Sequence, residues 1–482
     1  MKVVATSGKF ITFSLLFCLI FFVLPTCRTS AEVSIKNALD QYIESFLEEQ
    51  KVPGASIAII KDNKVIYTKN WGVTGETENK VSIETPFLLG SISKSLTGFA
   101  IFSLIEEGRI ALDEPVQSYI PWFSLKNHEA ATQITIKQLL THTSGISTYA
   151  GLSIADKGSN ELTAIKESAK SLSTVEPTAT PGEKYQYSDA NYLILGAVIE
   201  EITQQLYSQF MEENIFTPIG MEHTAADNET AYAKGYLGGY QSWFGIPVKS
   251  LISYDNGGSP YGYIAASAKD MASFISFLFQ QEQKDGLNQY FAPLLKTTKD
   301  RYYGYGWRIT TSDDQEEMIW HSGSTPDSRS EIFLFPESKW GGVILTNKNH
   351  ILEENALLQL RNGIINIVKN EVPSKITRGT PIFQLIILGF VLLLVSIVIV
   401  QIARLRIHRS RNKALRIVTG VILFILSVFI IPILIKATGS PWNSIKVFAP
   451  DIALMTILIV ILLALNGLLV IYKSIKKGNQ LT

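Results

Sequence analysis

A serine followed three residues later by a lysine can form a self-contained nucleophile and base, because positions i and i+3 of a helix share a face. Ser91 and Lys94 stand in this relation in Phe87-Leu88-Leu89-Gly90-Ser91-Ile92-Ser93-Lys94-Ser95-Leu96-Thr97-Gly98. The chemistry such a pair performs is acyl transfer through a serine ester. The same spacing recurs at Ser410 to Lys413 and at Ser474 to Lys477, and context separates the three. Ser91 opens a run of apolar and small residues (Leu96, Gly98, Phe99, Ala100, Phe102, Leu104, Ile105) that suits a buried helix. The other two lie in basic segments beside apolar stretches, where solvated positive charge is the simpler reading.

The elements that must position this pair lie in a chain of 482 residues whose formal charge of zero hides three unlike regions. Residues 1–31 carry Lys2, Lys9 and Arg28 and no acid, around an apolar run from Phe10 to Leu24 that ends in Thr29-Ser30-Ala31. This reads as an export signal. A rival is lipid attachment at Cys27, for which Leu24-Pro25-Thr26 is a poor match; an uncleaved anchor is another. Residues 32–371 hold 27 basic against 42 acidic residues, and residues 372–482 hold 13 basic residues and Asp451 alone. Both cysteines, Cys18 and Cys27, fall in the first region, so the large middle region has no internal disulfide and depends on its own core.

Within 32–371 a first helix is expected from Ile35 to Glu49, then a β-hairpin from Pro53 to Tyr67 turning at Lys61-Asp62-Asn63-Lys64. A mainly helical middle includes Ile136 to Leu140 and Tyr192 to Leu206. Strands are expected at Gly304 to Ile309, Met318 to Trp320, Glu331 to Phe335 and Gly341 to Thr346, and a closing helix at Glu353 to Val368. Strands at both ends with helices between imply one α+β domain built around one antiparallel sheet. After a linker at 372–381, apolar stretches at 382–402, 417–435 and 452–472 are each long enough to cross a bilayer. The loop at 403–416 and the tail at 473–482 are basic, which predicts both to be cytoplasmic; the loop at 436–451 and the large domain then lie outside. The spans carry no charged residue, so the plain reading of this unit is an anchor in the lipid bilayer.

Two further segments carry a resemblance. They are Tyr185-Gln186-Tyr187-Ser188-Asp189-Ala190-Asn191 and Trp320-His321-Ser322-Gly323-Ser324. With Ser91 and Lys94, and over about residues 35–369, the chain resembles the serine β-lactamase and penicillin-binding protein superfamily, in the branch of class C β-lactamases and D,D-carboxypeptidases. The motifs are Ser-x-x-Lys, a Tyr-x-Asn-like triplet at Tyr187 to Asp189, and His-x-Gly at His321 to Gly323. The resemblance implies an antiparallel sheet flanked by helices with a helical subdomain. It implies Ser91 as nucleophile, Lys94 and Tyr187 as its proton-transfer partners, and the backbone N–H groups of Ser91 and Ser324 as an oxyanion hole. His321, with Ser322 and Gly323, would line the pocket, and His142 would be structural. No cofactor or metal is implied. The substrates would be cell-wall D-alanyl peptides, D-alanyl esters of wall polymers, or β-lactams.

Asp189 departs from the asparagine usual in this family. An amide can donate to a substrate carbonyl, whereas a carboxylate only accepts. Asp189 is therefore expected either to receive a free substrate ammonium or to pair with Lys94. Asp327 and Arg329 replace the small residues common after His-x-Gly, and are expected to be solvated loop charges or to bias specificity. The chain has no His-Glu-x-x-His, no zinc-like Cys/His cluster, no P-loop and no Gly-x-Ser-x-Gly, and the acidic middle region is a poor nucleic-acid binder. A rival from another class is a non-catalytic penicillin-binding sensor signalling through the three spans.

Overall fold

The computed structural model describes residues 34–282, 289–311, 316–377, 379–404 and 412–475. The expected export signal, most of the basic loop and most of the tail lie outside them. In chain order the elements that matter for function begin with a helix at residues 34–49 (α1), strands Gly54–Lys61 (β1) and Lys64–Gly72 (β2), and helices Ser93–Glu106 (α2) and Asp189–Thr203 (α3). Next come strands Tyr240–Trp243 (β3) and Ile246–Lys249 (β4) and helix Ala268–Glu282 (α4). The C-terminal strands are Leu295–Thr298 (β5), Arg301–Gly304 (β6), Trp307–Thr311 (β7), Glu317–Thr325 (β8), Ser328–Phe335 (β9) and Trp340–Thr346 (β10). Helix Glu354–Val368 (α5) follows, then Ile382–Ala403 (α6), Lys413–Thr438 (α7), Trp442–Phe448 (α8) and Pro450–Ile475 (α9).

Eight strands form one antiparallel sheet in the order β2-β1-β10-β9-β8-β7-β6-β5. The first hairpin joins the last strand, with Ile57 opposite Ile344, so both ends of the domain close a single sheet. The β1–β2 turn falls at Asp62 and Asn63, whose φ angles of 49° and 60° give the handedness that matches strand twist. The expected single strand from Gly304 to Ile309 is instead a strand end, a two-residue turn and a new strand. Tyr305 and Gly306 have φ of 48° and 83°, and Gly304 pairs with Trp307 across the turn. The aromatic residues of the Gly-Tyr-Gly-Trp run favour a strand, and glycine's tolerance of positive φ makes it a turn.

The sheet buries both faces. Against one lie α1 and α5, through Ile43, Phe46, Leu47, Leu360 and Ile364 packed on Ile57, Phe333 and Ile344. Against the other lie α2, α3 and α4, with Leu96, Leu193, Leu195 and Ile275 meeting Ala58, Ile332 and Val343. Helix α2 is buried on every side, as its continuous apolar sequence requires. Gly98 lets the Tyr305–Gly306 turn rest on it: a Cβ there would come within 2.1 Å of the Tyr305 carbonyl. The turn is fixed by Ser95 Oγ donating to Gly306 O at 2.7 Å.

Helices α6, α7 and α9 are 22, 26 and 26 residues long, with mean hydropathies of 3.1, 3.0 and 2.9, long and apolar enough to cross a membrane. The helices extend a few residues beyond the apolar stretches, so that α9 includes Asp451 in its first turn.

Candidate active site

Ser91 lies in a single 3-10 turn, Gly90–Ile92, that runs directly into α2. The turn packs on β8 through two glycines. A Cβ on Gly90 (φ 54°) would lie 2.1 Å from Ser324 N, and one on Gly323 would lie 1.8 Å from the Leu89 carbonyl. Only glycine permits this approach, which sets the Ser324 N beside the serine turn. Strand β7 leaves β8 after the Arg308–Trp320 pair, whereas β9 stays paired to Thr325. From His321 onward, the edge of β8 away from β9 is therefore open to Ser91.

Lys94 is fully buried and its Nζ makes three donations: to Ser91 Oγ at 3.0 Å, to Asp189 Oδ1 at 2.7 Å and to the Tyr261 carbonyl at 2.8 Å. Three acceptors match the three protons of an ammonium. Burial pulls its pKa down, but the Asp189 carboxylate and, after it, the Tyr187 hydroxyl together hold it above the ordinary lysine value. In this arrangement Lys94 is a cation that donates to Ser91, and it has no lone pair with which to take the serine proton.

Tyr187, the other residue expected to move the serine proton, stands beside this pair. Lys94 Nζ lies 4.9 Å from its ring centroid, and the Arg308 guanidinium lies 5.2 Å from it on another side. The Tyr187 hydroxyl is buried and has no hydrogen-bond partner among the described residues. The ring rests on His142, with centroids 4.3 Å apart.

Behind Tyr187 runs a relay of neutral groups. His142 Nδ1 accepts from the Ser188 backbone N–H at 3.2 Å, so its proton is on Nε2, which meets the Tyr303 hydroxyl at 3.2 Å. Tyr303 in turn reaches His321 Nε2 at 3.4 Å, and His321 Nδ1 donates to the Ser322 carbonyl at 2.7 Å. These tautomers follow from their partners. Burial, reinforced by the Lys94 and Arg308 charges, pushes both imidazoles well below the ordinary histidine pKa. His321 is therefore a neutral wall of the site, and not a second cation.

Side chains alternate along β8. Ser322 and Ser324 point to the face away from Lys94: Ser322 hydrogen-bonds Glu331, and Ser324 Oγ donates to Glu354 and accepts from Asn349 at 2.8 Å. What these two offer the site is backbone. The expected solvation of Asp327 and Arg329 is overturned: both are buried. Thr325 donates to Asp327 at 3.2 Å, while Arg329 donates to the Gly323 carbonyl at 2.8 Å and lies 3.7 Å from Glu331. The segment around Gly239 covers this turn, which the local sequence does not reveal.

Sequence reading missed Tyr303, Arg308 and the Tyr261 carbonyl. Tyr303 and Arg308 flank the Tyr305–Gly306 turn and reach the site only through that hairpin. Tyr261 belongs to a π-helical turn, Ser259–Tyr263, whose Pro260-Tyr261-Gly262 run was the one local signal. Among the described residues no group of three or more His, Cys, Asp or Glu could hold a metal.

A half-buried serine bonded to a buried lysine, a phenol with a buried hydroxyl and an open strand edge stand together on this α+β scaffold. The Beta-lactamase family model matches residues 39–362, and the chain belongs to that family. Protein flp of Staphylococcus aureus (strain MW2) is 30% identical over 337 residues, covering 69% of this chain and 67% of that protein. Penicillin-binding protein 4* of Bacillus subtilis (strain 168) is 25% identical over 359 residues, covering 70% and 78%. Among solved structures, the octameric penicillin-binding protein homologue from Pyrococcus abyssi aligns with a TM-score of 0.62 at 27% identity, covering 73% of this chain and 80% of that one. The α+β fold is thus that of the penicillin-binding proteins.

Proposed function

We propose that this chain is a membrane-held serine hydrolase of the cell envelope that forms an acyl-enzyme at Ser91. The observation that carries this reading is the contact of Lys94 Nζ with Ser91 Oγ at 3.0 Å, beside a buried Tyr187 hydroxyl that acts on the same ammonium. Because Lys94 is held as an ammonium, Tyr187 is assigned as the group that takes the Ser91 proton, with Lys94 stabilising the phenolate that this requires. Ser91 Oγ attacks the substrate carbonyl while the Ser91 and Ser324 N–H groups receive the developing oxyanion. Collapse breaks the bond to the leaving amine or alcohol, which takes the proton from Tyr187. Water then cleaves the ester by the reverse proton path.

Substrate preference follows from two charges. Asp189 is engaged by Lys94 at 2.7 Å, which favours its pairing role over reception of a substrate ammonium. Arg308 has no carboxylate within ion-pair reach among the described residues, so it suits a substrate carboxylate. D-alanyl peptides and β-lactams carry one; D-alanyl esters do not. The order of preference is peptides of the wall, then β-lactams, then esters. The expected export signal at residues 1–31, with the basic loop at 403–416 and the basic tail, supports a large domain outside the cell.

Intact-mass spectrometry of the full chain in detergent, incubated with a penicillin, tests this directly. A +1 penicillin adduct absent from Ser91→Ala is expected, and its decay with product release reports hydrolysis. An adduct that persists for hours supports the sensing alternative, and an adduct that survives in Ser91→Ala overturns the assignment.

A further inference from the structure

Strands β3 and β4 form a hairpin whose two-residue turn is Phe244 and Gly245, with φ of 51° and 77°. Turns of this hand favour Asn-Gly, and a phenylalanine at positive φ is a strained choice for a hairpin surrounded by water. Its surroundings account for it. The Phe244 N–H donates to Asp451 Oδ2 at 2.9 Å, and the ring packs on the cluster of Val391 from α6, Ile452 and Met455 from α9, and Ala449 just before α9. Gly245 faces Pro381, the residue before α6, with 4.0 Å between Pro381 Cδ and the place of a Cβ. Gln241 Nε2 donates to the Val447 carbonyl of α8 at 2.6 Å. Asp451 is also bound by His350 Nε2 at 2.9 Å, and both side chains are fully buried. The hairpin tip is thereby fastened where two of the long apolar helices begin.

Beyond that junction apolar side chains lie uncovered by protein. Ile246 is 56% exposed, Val248 45% and Leu251 94%, and Leu352, 50% exposed, lies on a cleft of ≈ 960 Å³ that Gly245, Ile382 and Phe383 also line. Lys249, paired with Glu78 at 2.9 Å, ends the apolar stretch of β4. Exposed apolar side chains gathered on one strand and the chain just after it suit an interaction surface, and contact of the hairpin tip with the starts of α6 and α9 points to lipid as the partner.

We propose that the β3–β4 tip is a wedge seated in the interfacial layer of the bilayer, so that the folded domain rests on the membrane in a fixed orientation instead of hanging from the linker. The inference rests on the reading of α6, α7 and α9 as bilayer spans. The wedge is shallow, within the outer layer about 5–10 Å deep that interfacial apolar faces occupy.

The test uses the full chain in phospholipid nanodiscs, with Cys18→Ser and Cys27→Ser as background and one environment-sensitive thiol label per variant. Labels go at Ile246→Cys, Val248→Cys, Glu107→Cys on the exposed end of α2, and Leu392→Cys on the lipid face of α6. All four positions are exposed, so labelling leaves the core intact. Quenching by lipids that carry a nitroxide near the headgroup should be roughly twofold or more stronger at 246 and 248 than at 107, with a blue-shifted emission. Quenching at 246 and 248 equal to that at 107, while Leu392→Cys is quenched by deep nitroxides, overturns the wedge alone. A Leu392→Cys label that no nitroxide lipid quenches overturns the spanning reading, and the wedge with it.

Discussion

Asp189 sets the protonation state of the site. Its carboxylate is the main influence holding Lys94 above the ordinary lysine value against the downward pull of burial. Asp189→Asn removes that attraction, so the Lys94 pKa falls and the ammonium that stabilises the Tyr187 phenolate is lost at lower pH. The alkaline limb of the acylation rate against pH should therefore move to lower pH, with the apparent value belonging to the coupled Lys94–Tyr187 pair. Stopped-flow acylation by a chromogenic β-lactam checks it; an unmoved limb removes Asp189 from this role. Tyr187→Phe keeps the ring on His142 and deletes the hydroxyl alone. It should slow acylation by about 10²–10⁴-fold, the range for loss of a general acid–base group.

At the scale of elements, the site exists because a turn and a strand touch through glycine. Gly323→Ala would drive a methyl into the Leu89 carbonyl at 1.8 Å and the Ser330 hydroxyl at 2.2 Å, both held in place. Overpacking of this kind costs about 1–3 kcal/mol, and here it also parts Ser324 N from Ser91. Acylation should be lost even under conditions where circular dichroism shows the fold retained. A second element-scale prediction concerns Asp156, which accepts from the Tyr263 hydroxyl at 2.6 Å, just past the Tyr261 carbonyl that binds Lys94. Burial raises its pKa from 3.8 to about 7, partly opposed by that hydrogen bond. The folded state then holds a proton that the unfolded chain releases near pH 4, so its contribution to stability is present below about pH 4 and lost as pH rises through about 7. Asp156 sits at φ 55°, which asparagine also tolerates. Asp156→Asn should raise the melting temperature at pH 8 and change it little at pH 4, as differential scanning fluorimetry would read.

At the scale of the whole molecule, the α+β domain and the apolar helices pack against each other at their junction. His350→Ala would leave the Asp451 carboxylate buried with one partner fewer, at a cost of about 1–3 kcal/mol. The full chain in detergent should melt at lower temperature, while acylation of Ser91 by a penicillin at 20 °C stays near that of the unaltered chain, because neither residue touches the site. Equal melting curves would mean that the junction contributes nothing to stability.

Ser91, Lys94, Tyr187 and His321 were legible because the family motifs are short in sequence and their residue types are restricted by the chemistry. The α+β class, the first hairpin and the apolar helices were legible because periodicity and apolar length are local properties of the chain. Tertiary structure alone decided the rest. Whether Asp189 meets a substrate or Lys94 depended on side chains 95 residues apart coming within 2.7 Å. The burial of Asp327 and Arg329 depended on a covering segment nearly ninety residues upstream, about Gly239, and the place of Arg308 on a turn read as strand. Asp451, one acid in a basic region, has its meaning only through His350 and Phe244. Local pattern reports what a residue prefers, and long-range packing determines which charges meet.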